Sequence, residues 1–153
     1  MIADHSGPEE KLPRLGGRQP LLLTGGTQAL QRTVNCRITV PGEEPVLISI
    51  PNTLGALVLK GAAYREDSRD IRRHLDDAAV LLATVTDPLG LAGQLKGSDR
   101  SRIRTLQNAL IDPLHESWLL LEEPDRQPAM DALSVLAADP PTPKPHRRRL
   151  GSR

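Results

Sequence analysis

The sequence predicts an α+β domain: a small antiparallel β element packed on a bundle of about four helices, with a disordered basic C-terminal tail. Three observations predict it. An alternating run, "TVNCRITV", faces a second run, "VLISI", across a Pro-Gly turn. From residue 54 onward apolar residues recur at spacings of three and four, the helical period. After Asp139 four prolines and a cluster of arginines replace both patterns.

The 153 residues suit one domain, read as an irregular segment 1–20, a body 21–138 and the tail 139–153. With no Phe, one Trp (Trp118) and one Tyr (Tyr64), the core has to be built from Leu, Val, Ile and Ala. In residues 1–20, Gly7-Pro8, Pro13, Gly16-Gly17 and Pro20 break regular structure, and Met1-Ile2-Ala3 fits the end of a strand. "TQALQRT" fits a short helical turn. In the hairpin, Val34, Cys36, Ile38 and Val40 alternate with polar residues, and Val46, Ile48 and Ile50 match them, which predicts one buried face with Cys36 on it. A lone hairpin is marginal in water, so a helix or further strands should cover that face.

Pro51-Asn52-Thr53 ends the strand and caps a helix over 54–65, with Leu54, Leu57, Val58 and Leu59 apolar. A second helix, capped by Asp67 or Ser68, runs to about Thr84 on the stripe Ile71, Leu75, Ala78, Leu82 and Val85. "TDPLGLAGQLKG" reads as a loop with one weak turn, and a third helix is capped by Ser98 and buried through Ile103, Leu106 and Leu110. A short segment around "HESWLLL" and a helix near 126–138 complete the body.

Composition excludes several classes. A lone Cys36 rules out an internal disulfide and a cysteine-built zinc site, and suits a reducing cytoplasm. No apolar run is long enough to span a bilayer, and "MIADHSGPEE" is not a signal peptide, so no membrane association is expected. The net charge is +1, of which the tail carries +4 (five Lys or Arg against Asp139), leaving the body at −3. That distribution argues against a nucleic-acid-binding surface on the body. Contact through "HRRR" at 146–149 is the weaker option beside a solvated tail.

The stretch 60–82 holds five basic side chains, five acidic ones and a histidine. Asp70, His74 and Asp77 fall at i, i+4 and i+7 and share one helix face. Such a row can hold a divalent metal or a general base; equally, Asp70 in a first turn suits the helix dipole, and the spacing alone favours that solvated reading. Lys60 and Arg65 near the end of the preceding helix suit its negative terminus. Folded back on the next helix, Lys60 and Arg69 would face one groove, as a phosphate-bearing ligand requires. "LLLTGGTQ" lacks the spacing of a phosphate loop and reads as a turn. His5, His115 and His146 are isolated, Cys36 has no neighbour that would activate it, and Trp118 reads as a core anchor.

"GGTQAL", an alternating strand, "IPNTLGALVLKGAAYRED" and "SRDIRRHLDDAAVLL" together resemble the later half of nucleotidyltransferase-like proteins of the AbiEii toxin kind. The resemblance covers roughly residues 20–112. In that family a Lys-bearing helix is followed by an Arg and an RD/KD-x-x-D-L pattern. Lys60, Arg65, Arg69-Asp70 and Asp77 match it, with His74 standing where the first Asp of D-x-x-D would be and Ala78 where its Leu would be. The resemblance implies Lys60, Arg65 and Arg69 as nucleotide contacts, Asp70 as the catalytic or orienting carboxylate, a nucleoside triphosphate as ligand and Mg²⁺ as the parent family's metal. It also implies a protein partner, either an antitoxin or the chain itself.

The family's metal-holding GS-x-x-x-[DE]-x-[DE] motif is absent. Gly97-Ser98 is followed only by Asp99, Gly151-Ser152 only by Arg153, and "TVNCRITV" carries no third carboxylate. The chain is therefore expected to be catalytically incomplete on its own, with "MIADH" as the remnant of a strand and Asp4 as a leftover carboxylate. The alternative is a helical protein-interaction module that uses the charged face of residues 65–77.

Overall fold

Six α-helices and two two-stranded sheets follow one another in the computed structural model, which describes residues 2–3, 17, 21–22, 24 and 26–140. Most of segment 1–20 and the tail from 141 lie outside the described residues, as do Asp4, His5, Gly25 and the "HRRR" run. The order is β1 (Ile2–Ala3), β2 (Leu21–Leu22), α1 (Gly26–Leu30), β3 (Thr33–Ile38), β4 (Val46–Pro51), α2 (Thr53–Glu66), α3 (Ile71–Ala83), α4 (Pro88–Ala92), α5 (Asp99–Ala109), a 3₁₀ turn (Trp118–Leu120) and α6 (Glu123–Ala137). This is the α+β architecture expected, with α2, α3, α5 and α6 as the four long helices.

Local chemistry sets most boundaries. The Asn52 side chain accepts from the Gly55 N–H and starts α2, as the Pro-Asn-Thr punctuation predicts. For α3 the cap is Asp70, which accepts from the Arg73 N–H, and not Asp67 or Ser68. The weak turn expected in "TDPLGLAGQLKG" is α4, capped by Asp87 with Pro88 in its first turn. β1 pairs in parallel with β2, Ile2 opposite Leu21.

The core is helical throughout. Leu57 and Val58 of α2, Leu75, Ala78 and Leu82 of α3, Ile103 and Leu106 of α5, and Leu133 and Leu136 of α6 surround Trp118. Trp118 is wholly buried, and its indole N–H donates to the Leu110 carbonyl at 3.1 Å. Gly61 lets α2 meet α5: a Cβ there would run into the Arg102 carbonyl.

No residue of β3 or β4 belongs to that core. The hairpin's register pairs Val34 with Ile50, Cys36 with Ile48 and Ile38 with Val46. The expected burial of that face is not found: Val34 is 46% exposed, Ile38 45% and Val46 57%, and Cys36 is only half-buried. β4 leads directly into the Asn52 cap, where the Asn52 N–H donates to the Arg32 carbonyl at 2.6 Å. The hairpin therefore hangs from the N-terminus of α2, while the helices bury their stripes against one another.

One buried ion pair ties the β element to the bundle. Arg32, between α1 and β3, donates to the fully buried Asp99 carboxylate at 2.6 Å and to the Gln94 carbonyl at 2.9 Å. The Lys96 N–H donates to the same Asp99 oxygen at 2.8 Å. Removing one member leaves a buried charge without its counter-charge, which is far costlier than losing an exposed pair. Asp99→Ala is expected to cost about 3 kcal/mol in urea unfolding, against less than about 1 kcal/mol for Arg72→Ala at the exposed Arg72–Glu116 pair. Equal losses would contradict this placement of stability.

Candidate functional site

The candidate residues gather on the hairpin of helices α2 and α3, joined through residues 67–70. Lys60, Tyr64 and Asp67 lie at i, i+4 and i+7 on or just past α2, and Asp70, His74 and Asp77 repeat that spacing on α3. The folded-back helices bring the rows together at two points. Lys60 Nζ donates to Asp77 Oδ2 at 2.5 Å, and His74 Nε2 stands 3.6 Å from Asp67 Oδ2. The result is a polar seam beside the core. Lys60 and Asp77 keep about a third of their side-chain surface in contact with solvent, so their pair contributes on the order of 1 kcal/mol or less.

The remaining candidates sit at the open end of the seam. Arg65 is exposed in the last turn of α2 and takes no part in the region's ion pairs among the described residues. Arg69 is 90% exposed, and its backbone N–H and guanidinium both donate to Asp67 Oδ1, at 3.0 and 3.2 Å. Asp70 is exposed and caps α3. The structure joins Lys60 to Asp77, and Asp70 caps α3.

His74 is mostly buried, and neither ring nitrogen has a hydrogen-bond partner. Its 3.6 Å separation from Asp67 exceeds hydrogen-bond reach. Asp67 itself is held below its ordinary value of 3.8, first by the Arg69 backbone N–H and then by the Arg69 guanidinium, with partial desolvation opposing them and His74 contributing least.

The carboxylates do not fit a protein-held Mg²⁺. Asp77 is neutralised by Lys60, Asp67 faces Arg69 and His74, and Asp70 accepts a backbone N–H. No group of three or more His, Cys, Asp or Glu side chains placed to hold a metal occurs among the described residues. No helix among them is long and apolar enough to cross a membrane.

A pocket of about 250 Å³ lies at the other end of α2, between Asn52–Leu54, Thr84–Asp87, Gly90, Leu91 and Gln94. None of the candidate residues lines it. Its only charged lining residue is Asp87, so it offers no countercharge to a phosphate. His115 accepts from the Ser117 N–H at 3.2 Å, a local turn bond.

Sequence reasoning missed the Arg32–Asp99 pair, whose members stand 67 residues apart. It also missed the contact between Asp77 and Lys60, for which the shared helix faces were the available signal. No family model matches the chain, and neither does any curated protein or solved structure.

The lowered Asp67 value fixes the sign of an acid effect. A carboxyl with a depressed folded value adds stability that is fully present above its unfolded value and lost as pH falls through the folded one. Thermal unfolding of Asp67→Asn should therefore lie below wild type at neutral pH, the gap closing as the pH falls below about 4. A gap independent of pH would show that the Arg69–Asp67 contact carries no charge-dependent stability.

Proposed function

We propose that the α2–α3 seam is a phosphate-contacting surface of a nucleotidyltransferase-like protein of the AbiEii toxin kind, and that this chain is catalytically incomplete by itself. The observation that carries the reading is Lys60: it projects from α2 into the seam and is fixed there by Asp77, while Arg65 in the last turn of α2 and Arg69 just beyond it are exposed at the seam's open end. Lys60, Arg65 and Arg69 are cations of the kind that binds a triphosphate, and in this reading Lys60 and Arg69 exchange part of their contact with Asp77 and Asp67 for the phosphates.

In this reading Lys60, Arg65 and Arg69 contact the phosphates, and Asp77 positions Lys60. Asp70, the sequence's candidate for the catalytic or orienting carboxylate, acts by capping α3. Magnesium arrives with the nucleotide, because the seam's own carboxylates are engaged. No transfer step follows from these residues. A cytoplasmic setting and a protein partner, an antitoxin or a second copy, belong to the same proposal.

The competing reading is a protein-interaction module that uses the charged face of residues 65–77; it needs no nucleotide. Calorimetry with MgATP and MgCTP separates the two. Binding in the range of about 0.1–1 mM is expected, weakened about tenfold by Lys60→Ala or Arg65→Ala, as the loss of one charge-assisted contact implies. Asp70→Asn should leave affinity unchanged. Absence of heat with both nucleotides overturns the proposal and favours the interaction module.

A further inference from the structure

The connection from α5 to α6, with the first turn of α6, forms a surface that is both acidic and apolar. Residues 111–125 carry five carboxylates, Asp112, Glu116, Glu122, Glu123 and Asp125, all exposed, and no Lys or Arg. Among them Ile111 is 75% exposed, Leu114 79%, Leu119 54% and Leu120 55%. Successive turns hold the segment together over the buried Trp118 and Leu121: the His115 N–H donates to the Asp112 carbonyl at 2.9 Å, the Leu119 N–H to Glu116 at 3.0 Å and the Asp125 N–H to Glu122 at 3.0 Å. Arg72 pairs with Glu116, whereas Glu122, Glu123 and Asp125 enter no ion pair among the described residues. The dipole of α6 accounts for Glu123 and Asp125 in its first turn, but not for four large aliphatic side chains left in water beside them.

An occupant of this patch has to bring positive charge and apolar groups on one short segment. Residues 141–153, "PTPKPHRRRLGSR", hold five Lys or Arg and no Asp or Glu, and Leu150 follows directly on Arg147, Arg148 and Arg149. The charge of this segment, +5, equals and opposes the −5 of residues 111–125. The place where the described residues stop gives a second argument. Arg100 of α5 donates to the Ala138 carbonyl, and Arg104, one turn nearer to Ile111, pairs with Asp139. The chain beyond α6 is thus held to α5, whose run from Arg104 to Ile111 covers roughly 10 Å. From Pro140 to Leu150 an extended chain reaches about 30 Å, enough to lay the three arginines over the patch.

We infer that residues 147–150 dock within the same chain on the acidic and apolar patch of residues 111–125. The arginines meet Asp112, Glu122, Glu123 and Asp125, and Leu150 rests among Leu114, Leu119 and Leu120. Exposed ion pairs are individually weak. Several of them acting together, on a segment whose tether gives it a local concentration on the order of mM, suffice for a reversible contact. Because the attraction crosses solvent, salt screens it. While docked, the arginines are not free to meet the phosphates of a nucleic acid. The inference is independent of the nucleotide reading, since no residue is shared.

Paramagnetic relaxation in the full chain tests it. A nitroxide on Ser152→Cys, with the native thiol removed by Cys36→Ser outside the core, should broaden the amides of residues 111–125 more than those of α2, α3 or the hairpin. Raising the salt from about 20 mM to about 500 mM shortens the screening length from roughly 20 Å to about 4 Å and should reduce the effect at least about threefold. Replacing Arg147, Arg148 and Arg149 together by Ser should do the same, and so should Leu120→Lys. Leu89→Lys, at a site 75% exposed on α4, should not. Broadening spread evenly over the surface, centred on the carboxylates of α3, or indifferent to the arginine replacements overturns the inference. Nitroxide-bearing chain mixed with ¹⁵N-labelled chain that lacks the nitroxide should broaden nothing. If residues 111–125 broaden in that mixture, the patch takes the segment of a second copy and the intramolecular contact is overturned.

Discussion

The constraint on which the structure depends is a core that must close almost without aromatics. With no Phe and a single Trp, cohesion has to come from helices that approach closely over Leu, Ala and Gly. Gly61 sits against the Arg102 carbonyl, and Ala78, Ala79, Ala129 and Ala132 are all buried at helix contacts around Trp118. Close approach has two consequences. The helices spend their apolar stripes on one another, which leaves none for the hairpin. The same approach puts α3 near enough to α2 for the short Asp77 side chain to reach Lys60.

The seam that results is a mixture of satisfied and unsatisfied groups. Lys60 and Asp77 are paired, Asp67 holds Arg69, and yet His74 lies largely buried with both ring nitrogens unbonded. A buried polar group without a partner costs about 1–3 kcal/mol, so a sequence selected only for stability has reason to place an aliphatic residue there. Buried polar atoms without a partner also occur on Gln28, Asp99 and Arg102, outside the seam. In Arg32–Asp99 the buried charges are paired through Asp99 Oδ2, although Oδ1 is also buried without a partner, and the pair serves to fix the β element to the bundle.

The helices were legible because their signals are local. The stripe of Leu75, Ala78 and Leu82, the Asn52 cap and the Trp118 anchor each depend on neighbours a few residues away. The shared face of Asp70, His74 and Asp77 was legible as well, but not the task of each member. Asp70 turned to its own backbone as a cap, because the helix begins two or three residues later than Ser68 or Asp67 would place it. The hairpin's register was readable, whereas its exposure was not: alternation says which side chains share a face, and what covers that face depends on the direction in which the strand leaves for α2. The Arg32–Asp99 pair spans elements far apart in sequence, and no periodicity foretells it.

Two surfaces thus compete as places for a phosphate ligand: the cationic end of the α2–α3 seam and the pocket beside Asn52 and Asp87. Amide chemical shifts followed by ¹H–¹⁵N NMR during titration with MgATP distinguish them residue by residue. The expected result is a set of shifts confined to residues 60–77, largest near Lys60, Arg65 and Arg69. Shifts centred on Asn52–Leu54 and Thr84–Gln94, or none at saturating nucleotide, would contradict a phosphate role for the seam.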